Sequence, residues 1–141
     1  MTRRDTKLES EGAEFLVLGN LLARGVQCHK AYTQTARYDL LALSHDHKIA
    51  VTIQVKSRWD LKARGFFLKS VDSDFVVAVF LNRSTTDPSK EADPKYFVLP
   101  KRIVKKYWRD EKVPKVYLPG IYNLQRYESA WNLIAANLEP K

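Results

Sequence analysis

Asp39, Gln54 and Lys56 are the residues of this chain whose types and spacing can do chemistry. Gln54 and Lys56 stand two apart in the run from Ile49 to Ser57, whose odd positions Ile49, Val51, Ile53 and Val55 are all β-branched. Side chains on a strand alternate faces, so one face of this run belongs to a core. Gln54 and Lys56 share the other face, roughly 7 Å apart. Packing does not explain a polar pair directed from such a strand. Asp39 opens the preceding strand, which the polar turn His45-Asp46-His47-Lys48 joins to the Gln54 strand as a hairpin. Glu14 falls on a helical stripe with Leu18 and Leu21, and that stripe is expected to carry its carboxylate toward the same place.

Hydrolysing a phosphodiester requires that charge on the phosphate be neutralised and that a water be made nucleophilic. A hard divalent cation, Mg²⁺ or Mn²⁺, does both and takes oxygen ligands. Asp39, Glu14 and the amide oxygen of Gln54 are ligands of that kind. The Val55 backbone carbonyl is the alternative oxygen should Gln54 not serve. A nearby lysine, Lys56, holds the phosphate or orients the water.

These residues need a helix and a hairpin to position them. Residues 9–24 read as a helix with apolar positions at Phe15, Leu18, Leu21 and Leu22, Ser10 as its N-cap and Gly25 as its stop. Strands follow at residues 26–32, 37–44 and 49–57. Residues 74–81 form an apolar run that reads as a strand buried on both faces. Residues 82–94 read as a loop, 96–99 as a short strand, and Pro100 opens a helix that runs through Trp108. Residues 111–124 read as irregular, and residues 127–138 as a final helix. The order predicts a mixed α/β domain, a single one spanning residues 1–141.

Here a resemblance joins the residue reading. Gly12-Ala13-Glu14, Leu21-Leu22-Ala23-Arg24-Gly25, Arg37-Tyr38-Asp39-Leu40 and Ile53-Gln54-Val55-Lys56-Ser57 run in the order and spacing of the PD-(D/E)XK nuclease superfamily. The chain resembles the branch whose third-strand motif reads Gln-x-Lys, over roughly residues 11–58. The resemblance implies the restriction-endonuclease-like fold, with a mixed central sheet flanked by helices and the site at one end of the sheet. It implies divalent-metal-dependent cleavage of DNA, double-stranded or branched, with Asp39 as central metal ligand, Glu14 as the helix acid and Lys56 as the catalytic lysine. Two positions depart from the commonest pattern: Gln54 stands where an acid is usual, and Tyr38 precedes Asp39 where proline is usual. A neutral amide offers a metal an oxygen without charge. A rival reading is therefore a DNA-binding module of the same fold with weakened catalysis. An RNA-directed nuclease or a toxin-like effector also stays open.

The chain has 141 residues, 24 Lys and Arg against 16 Asp and Glu, and a net charge of +8. A small domain this basic meets a polyanion, with nucleic acid the default, although charge alone fits a merely soluble basic protein equally well. Arg58, Lys62, Arg64 and Lys69 follow the motif and are the first candidates for DNA contact. Lys101 and Lys105, with Arg102, Lys106 and Arg109, form a second basic face on the Pro100 helix, where a solvated face is an equal reading. Trp59, Phe66 and Phe67 lie among the first set, where stacking on bases competes with the commoner reading of Phe66 and Phe67 as core. Glu11 reads as a solvated acid at the helix start, and His45 and His47 as residues of an exposed turn. Cys28 is the single cysteine, so a four-cysteine zinc site and an internal disulfide are excluded, and it reads as a small core residue. The charged start Met1-Thr2-Arg3-Arg4 and the lack of a long apolar run lead to the expectation of a cytoplasmic protein with no membrane partner. A homodimer that brings two sites to two strands is also expected.

Overall fold

The computed structural model describes residues 5–33 and 36–140. The charged start Met1–Arg4 lies outside the described residues.

The first helix, α1 (Thr6–Ala23), begins earlier than its apolar pattern suggests. Its N-cap is Asp5, whose carboxylate accepts from the Lys7 amide at 2.9 Å, so Ser10 is an interior residue and not the cap. Gly25 ends the helix at φ +80°. Its amide bonds the Leu22 carbonyl at 3.0 Å and the Val26 amide bonds the Leu21 carbonyl at 3.0 Å, the double closure that left-handed glycine permits. The buried face is Ala13, Val17 and Leu21, one residue every fourth position. Phe15 and Leu22 are half exposed, at 50% and 51%, so they do not belong to the core stripe.

Strands β1 (Gln27–Lys30), β2 (Leu40–Leu43) and β3 (Ala50–Asp60) form an antiparallel meander. Next come β4 (Gly65–Phe67), β5 (Phe75–Arg83), β6 (Lys95–Pro100), helix α2 (Lys101–Tyr107), β7 (Trp108–Arg109), β8 (Lys115–Tyr117) and helix α3 (Asn132–Asn137). The central sheet has the order β1-β2-β3-β5-β6. It is mixed, because β3 and β5 run parallel while β5 and β6 run antiparallel. A second sheet has the order β4-β8-β7.

Strand β5 explains the layering. Phe75, Val77 and Val79 point to one core, which they share with Ala13, Val17 and Leu21 of α1 and with Trp131 and Ile134 at the C-terminal end. Val76, Ala78 and Phe80 point to a second core beneath Ile103 and Val104 of α2 and Phe66 and Val116 of the small sheet. The apolar run is thus buried on both faces, as expected of a central strand.

Some boundaries differ from the sequence reading. β3 runs on to Asp60, and Arg37-Tyr38-Asp39 precedes β2 instead of forming its start. The segment read as irregular contains β8, a short strand held by pairing with β4 and β7. The C-terminal helix is shorter, preceded by a 3₁₀ turn at Leu124–Tyr127. Among the described residues no helix is long and apolar enough to cross a membrane.

Candidate active site

Asp39 stands at the mouth of the β2–β3 hairpin and is tied on three sides. Its amide donates to the Ile53 carbonyl at 2.9 Å, and its carbonyl accepts from the Ala31 amide at 2.9 Å. Its carboxylate Oδ2 accepts from the Val55 amide at 2.7 Å. Leu40 pairs with Ile53, so one step further along the ladder Asp39 stands across from Gln54. Gln54 and Lys56, on the same face of β3, line with Asp39 a cleft of about 620 Å³. Phe67 and Lys69 form another part of its wall.

The cleft is partly dry, and its charges feel it. Burial lifts the Asp39 carboxyl above its ordinary range, against the pull of the Val55 amide and of the Lys56 and Lys30 ammonium groups. Burial also holds Lys56 below the usual lysine range, with Lys69 adding repulsion and Asp39 opposing both. Acid and lysine therefore stabilise each other's charged forms in a pocket that favours neither.

Glu14 feels the charge of Asp39 from helix α1. Burial first, then repulsion from Asp39, raises its carboxyl, and Lys30 works the other way. The Lys30 ammonium lies 3.4 Å from the Glu14 carboxylate and also bonds Glu11. The side chain of Lys30 is 3% exposed, with its nitrogen 4.3 Å from the centre of the Phe15 ring and 5.6 Å from that of Tyr32. Glu11, read from sequence as a solvated acid, is thus an ion-pair partner, although its side chain stays 53% exposed. Phe15, off the core stripe, covers this ammonium.

Val55 meets Asp39 through its amide, on the strand edge. Of the basic candidates, Lys69 lines the cleft itself. Arg58 donates to the Gly65 carbonyl at 2.5 Å, which ties β3 to β4. Lys62 and Arg64 are exposed on the turn between β3 and β4, and Lys105 is exposed on α2. Lys101, at the start of α2, reaches the Asp72 carbonyl at 3.5 Å, and Asp72 borders the cleft. Phe66 is core at 3% exposure, but Phe67 is 63% exposed, so the core reading holds for the first and fails for the second.

The remaining candidates fall elsewhere. His47 adopts φ +61° in the exposed turn and contacts the Gln27 side chain at 3.0 Å. Cys28 is buried, and burial pushes its thiol up to about 11. Among the described residues no three His, Cys, Asp or Glu side chains converge as a metal-binding group.

No family model matches the chain, and no curated protein matches it. Solved structures do, among them the following two. One is a bacterial homing endonuclease, I-Ssp6803I, at 22% identity and TM-score 0.65, covering 95% of this chain and 94% of that one. The other is Hjc, a Holliday junction resolvase from Archaeoglobus fulgidus, at 13% identity and TM-score 0.50, covering 79% of this chain and 86% of that one. At these identities the likeness is one of fold: a mixed central sheet flanked by helices, the restriction-endonuclease-like architecture.

Proposed function

We propose that this chain is a divalent-metal-dependent DNA endonuclease, one nuclease domain acting on double-stranded or branched DNA, with Asp39, Gln54 and Lys56 at its centre. The observation that carries the reading is the Asp39 carboxylate, fixed on the β3 backbone across from Gln54 and in one cleft with Lys56. The two solved neighbours, a homing endonuclease and a Holliday junction resolvase, support the same class of substrate.

The donor set suits a hard cation. Asp39 and Gln54 offer oxygen alone, with the Val55 carbonyl in reserve, and neither thiolate nor imidazole is at hand. Mg²⁺ is commonly held by one or two carboxylates, with waters and substrate phosphate completing its shell, so a single fixed acid is compatible with it. When bound, the cation supplies charge neutralisation at the phosphate and lowers the pKa of water. Lys56 binds a phosphate oxygen or orients the attacking water, and its neighbour Asp39 keeps it charged. Glu14 interacts with Asp39 and is engaged by Lys30, so its part is to add negative potential at Asp39. That engagement favours the second reading, a DNA-binding module with weakened catalysis, because it occupies Glu14, the helix acid, with a cation and leaves Asp39 and Asp72 as the carboxylates lining the cleft.

Nicking of supercoiled plasmid in Mg²⁺, Mn²⁺ and chelator separates the two. The endonuclease reading expects nicking in metal and none in chelator. A protein inert in both metals that binds DNA equally well in chelator is the binding module.

A further inference from the structure

The small sheet has an outer face that the cleft does not absorb. Phe66, Val116 and Trp108 point inward to the second core. Their sequence neighbours point out. Arg109 pairs with Lys115 across β7 and β8, Lys115 pairs with Phe67 across β8 and β4, and Tyr117 pairs with Gly65. Directly paired residues share a face, so Arg109, Lys115, Phe67 and Tyr117 stand together on the outside. Phe67 is 63% exposed and Tyr117 39%.

Gly65 lines a groove on this face. A Cβ there would lie 2.4 Å from the Val116 carbonyl oxygen, so only glycine allows β4 and β8 to pair so closely. It leaves a floor without a side chain, and Arg58 reinforces that floor by bonding the Gly65 carbonyl. Phe67 and Tyr117 are diagonal neighbours in the ladder, a relation that sets the two residues roughly 7–8 Å apart, within reach of aromatic side chains. The groove they bound has a volume of about 360 Å³ and is rimmed by Arg58, Arg109 and Lys115. The Arg109 guanidinium lies 5.9 Å from the centre of the Tyr117 ring. The Lys115 ammonium lies 3.9 Å from the Glu111 carboxylate. Phe67 lines both this groove and the cleft that holds Asp39, Gln54 and Lys56.

We propose that this groove is a subsite for one unpaired nucleotide of DNA, its base stacked against Phe67 and Tyr117 and its phosphate held by Arg109 and Lys115. Two exposed aromatic rings beside three cations match a nucleotide with its base out of the stack, because every base offers a π-face and every phosphate a charge. A base locked in a perfect duplex presents neither face. The inference rests on the endonuclease reading and narrows its substrate to DNA with an unpaired nucleotide next to the cut, from either an extruded base or a single-stranded arm at a branch.

The test measures binding of the full chain, in chelator, to three labelled DNAs: a perfect duplex, the same duplex with a one-nucleotide bulge, and the same duplex with a single-stranded tail. Wild type is expected to bind the bulged or the tailed DNA about tenfold more tightly than the duplex. Phe67→Ala and Tyr117→Ala should each reduce that ratio to near one, and Tyr117→Ala, whose ring does not line the Asp39 cleft, should keep duplex affinity within about twofold. Phe67→Trp should keep the ratio, a rescue that a merely structural role would not give. A larger ratio for the bulge assigns the groove to an extruded base, and a larger ratio for the tail assigns it to a branch arm. A ratio near one in wild type, or one unmoved by both alanine variants, overturns the subsite. Cleavage of the bulged and tailed DNAs in Mg²⁺ by the same preparations keeps the two readings apart. Cleavage without the preference removes the subsite and leaves the endonuclease, whereas the preference without cleavage removes the endonuclease and leaves the groove.

Discussion

The Asp39 carboxylate accepts a hydrogen bond from the Val55 amide at 2.7 Å. The bond crosses from the segment before β2 to β3, and it orients the acid toward the strand that carries Gln54 and Lys56. It also works against the environment, because burial raises the Asp39 carboxyl and this amide pulls it back. A charged group held where its neutral form would be easier to bury is a feature of functional sites.

Asp39→Asn is the direct test. Asparagine keeps an oxygen for the Val55 amide and removes the charge. Cleavage should fall at least about a hundredfold, the loss expected when electrostatic stabilisation of the reaction is removed. The melting temperature should hold or rise. The sign follows from the raised carboxyl: a group that binds its proton more tightly folded than unfolded makes stability fall as pH climbs through the carboxylate range. The Asp39→Asn variant should flatten that fall. Asp39→Ala instead orphans the amide and should cost about 1.5–3 kcal/mol. Wild-type nicking by Asp39→Asn would remove Asp39 from the site.

Lys30 makes a separate prediction about stability. Its ammonium is enclosed between Glu11, Glu14 and Phe15. Lys30→Met should leave Glu14 half-buried without its cation and cost about 2 kcal/mol, between the values for exposed and buried pairs. Adding Glu14→Gln should recover part of that loss in urea unfolding. If Lys30→Met unfolds like wild type, the pair contributes nothing and Glu14 is free to serve the cleft.

The strand face that carries Gln54 and Lys56 is legible in the sequence, because alternation along β3 is local and Val51 and Ile53 are buried where β-branched residues demand it. The same holds for Phe75–Phe80, whose unbroken apolar run is buried on both faces. The role of Lys30 is not legible: its partners lie on α1, and only the packing of helix on sheet brings them together. Phe67 escapes for a related reason. Phe66 and Phe67 are both aromatic, and which one faces out depends on pairing with β8, a strand whose three residues carry little periodic signal of their own. The α1 stripe is hard to place because leucine and phenylalanine outrank alanine in hydrophobicity, yet Ala13 is what fits against the sheet.

Cys28 should behave as an inert core residue. With its thiol pushed up to about 11, about one molecule in a thousand is thiolate at pH 8. Alkylation by iodoacetamide at that pH should run at least a hundredfold slower on the native chain than on the chain in denaturant. Equal rates would place Cys28 at the surface.

Salt dependence of DNA binding locates the footprint. Arg58 is tied to Gly65, so its removal disturbs β4 as well as charge. Lys62, Arg64 and Lys69 are exposed and better probes. The triple alanine variant should flatten the slope of log affinity against log salt by roughly 0.9 for each phosphate that is no longer neutralised. An unchanged slope puts the phosphates on another face, with Lys101 and Lys105 the next to replace.

Gln54 decides how the metal is held. Its side chain lines the cleft with Asp39, and its oxygen can ligate a cation without adding charge. Gln54→Glu adds a full negative charge at that point. The cation should bind more tightly, and nicking should reach half its maximum at a lower Mg²⁺ concentration. Lys56 tolerates the change, since a carboxylate two residues away on its own face favours the ammonium and opposes the burial that now lowers it. Gln54→Ala removes the oxygen and should raise the Mg²⁺ requirement or abolish nicking. The binding-module reading makes a different forecast: wild type is inert, and Gln54→Glu gains activity, because Asp39 then has a second acid across the ladder from it. Titrating Mg²⁺ against nicking for the three proteins distinguishes these outcomes. Three identical curves would show that Gln54 does not touch the metal, and the role would pass to Glu14 or to the Val55 carbonyl, whose amide already holds Asp39 in place.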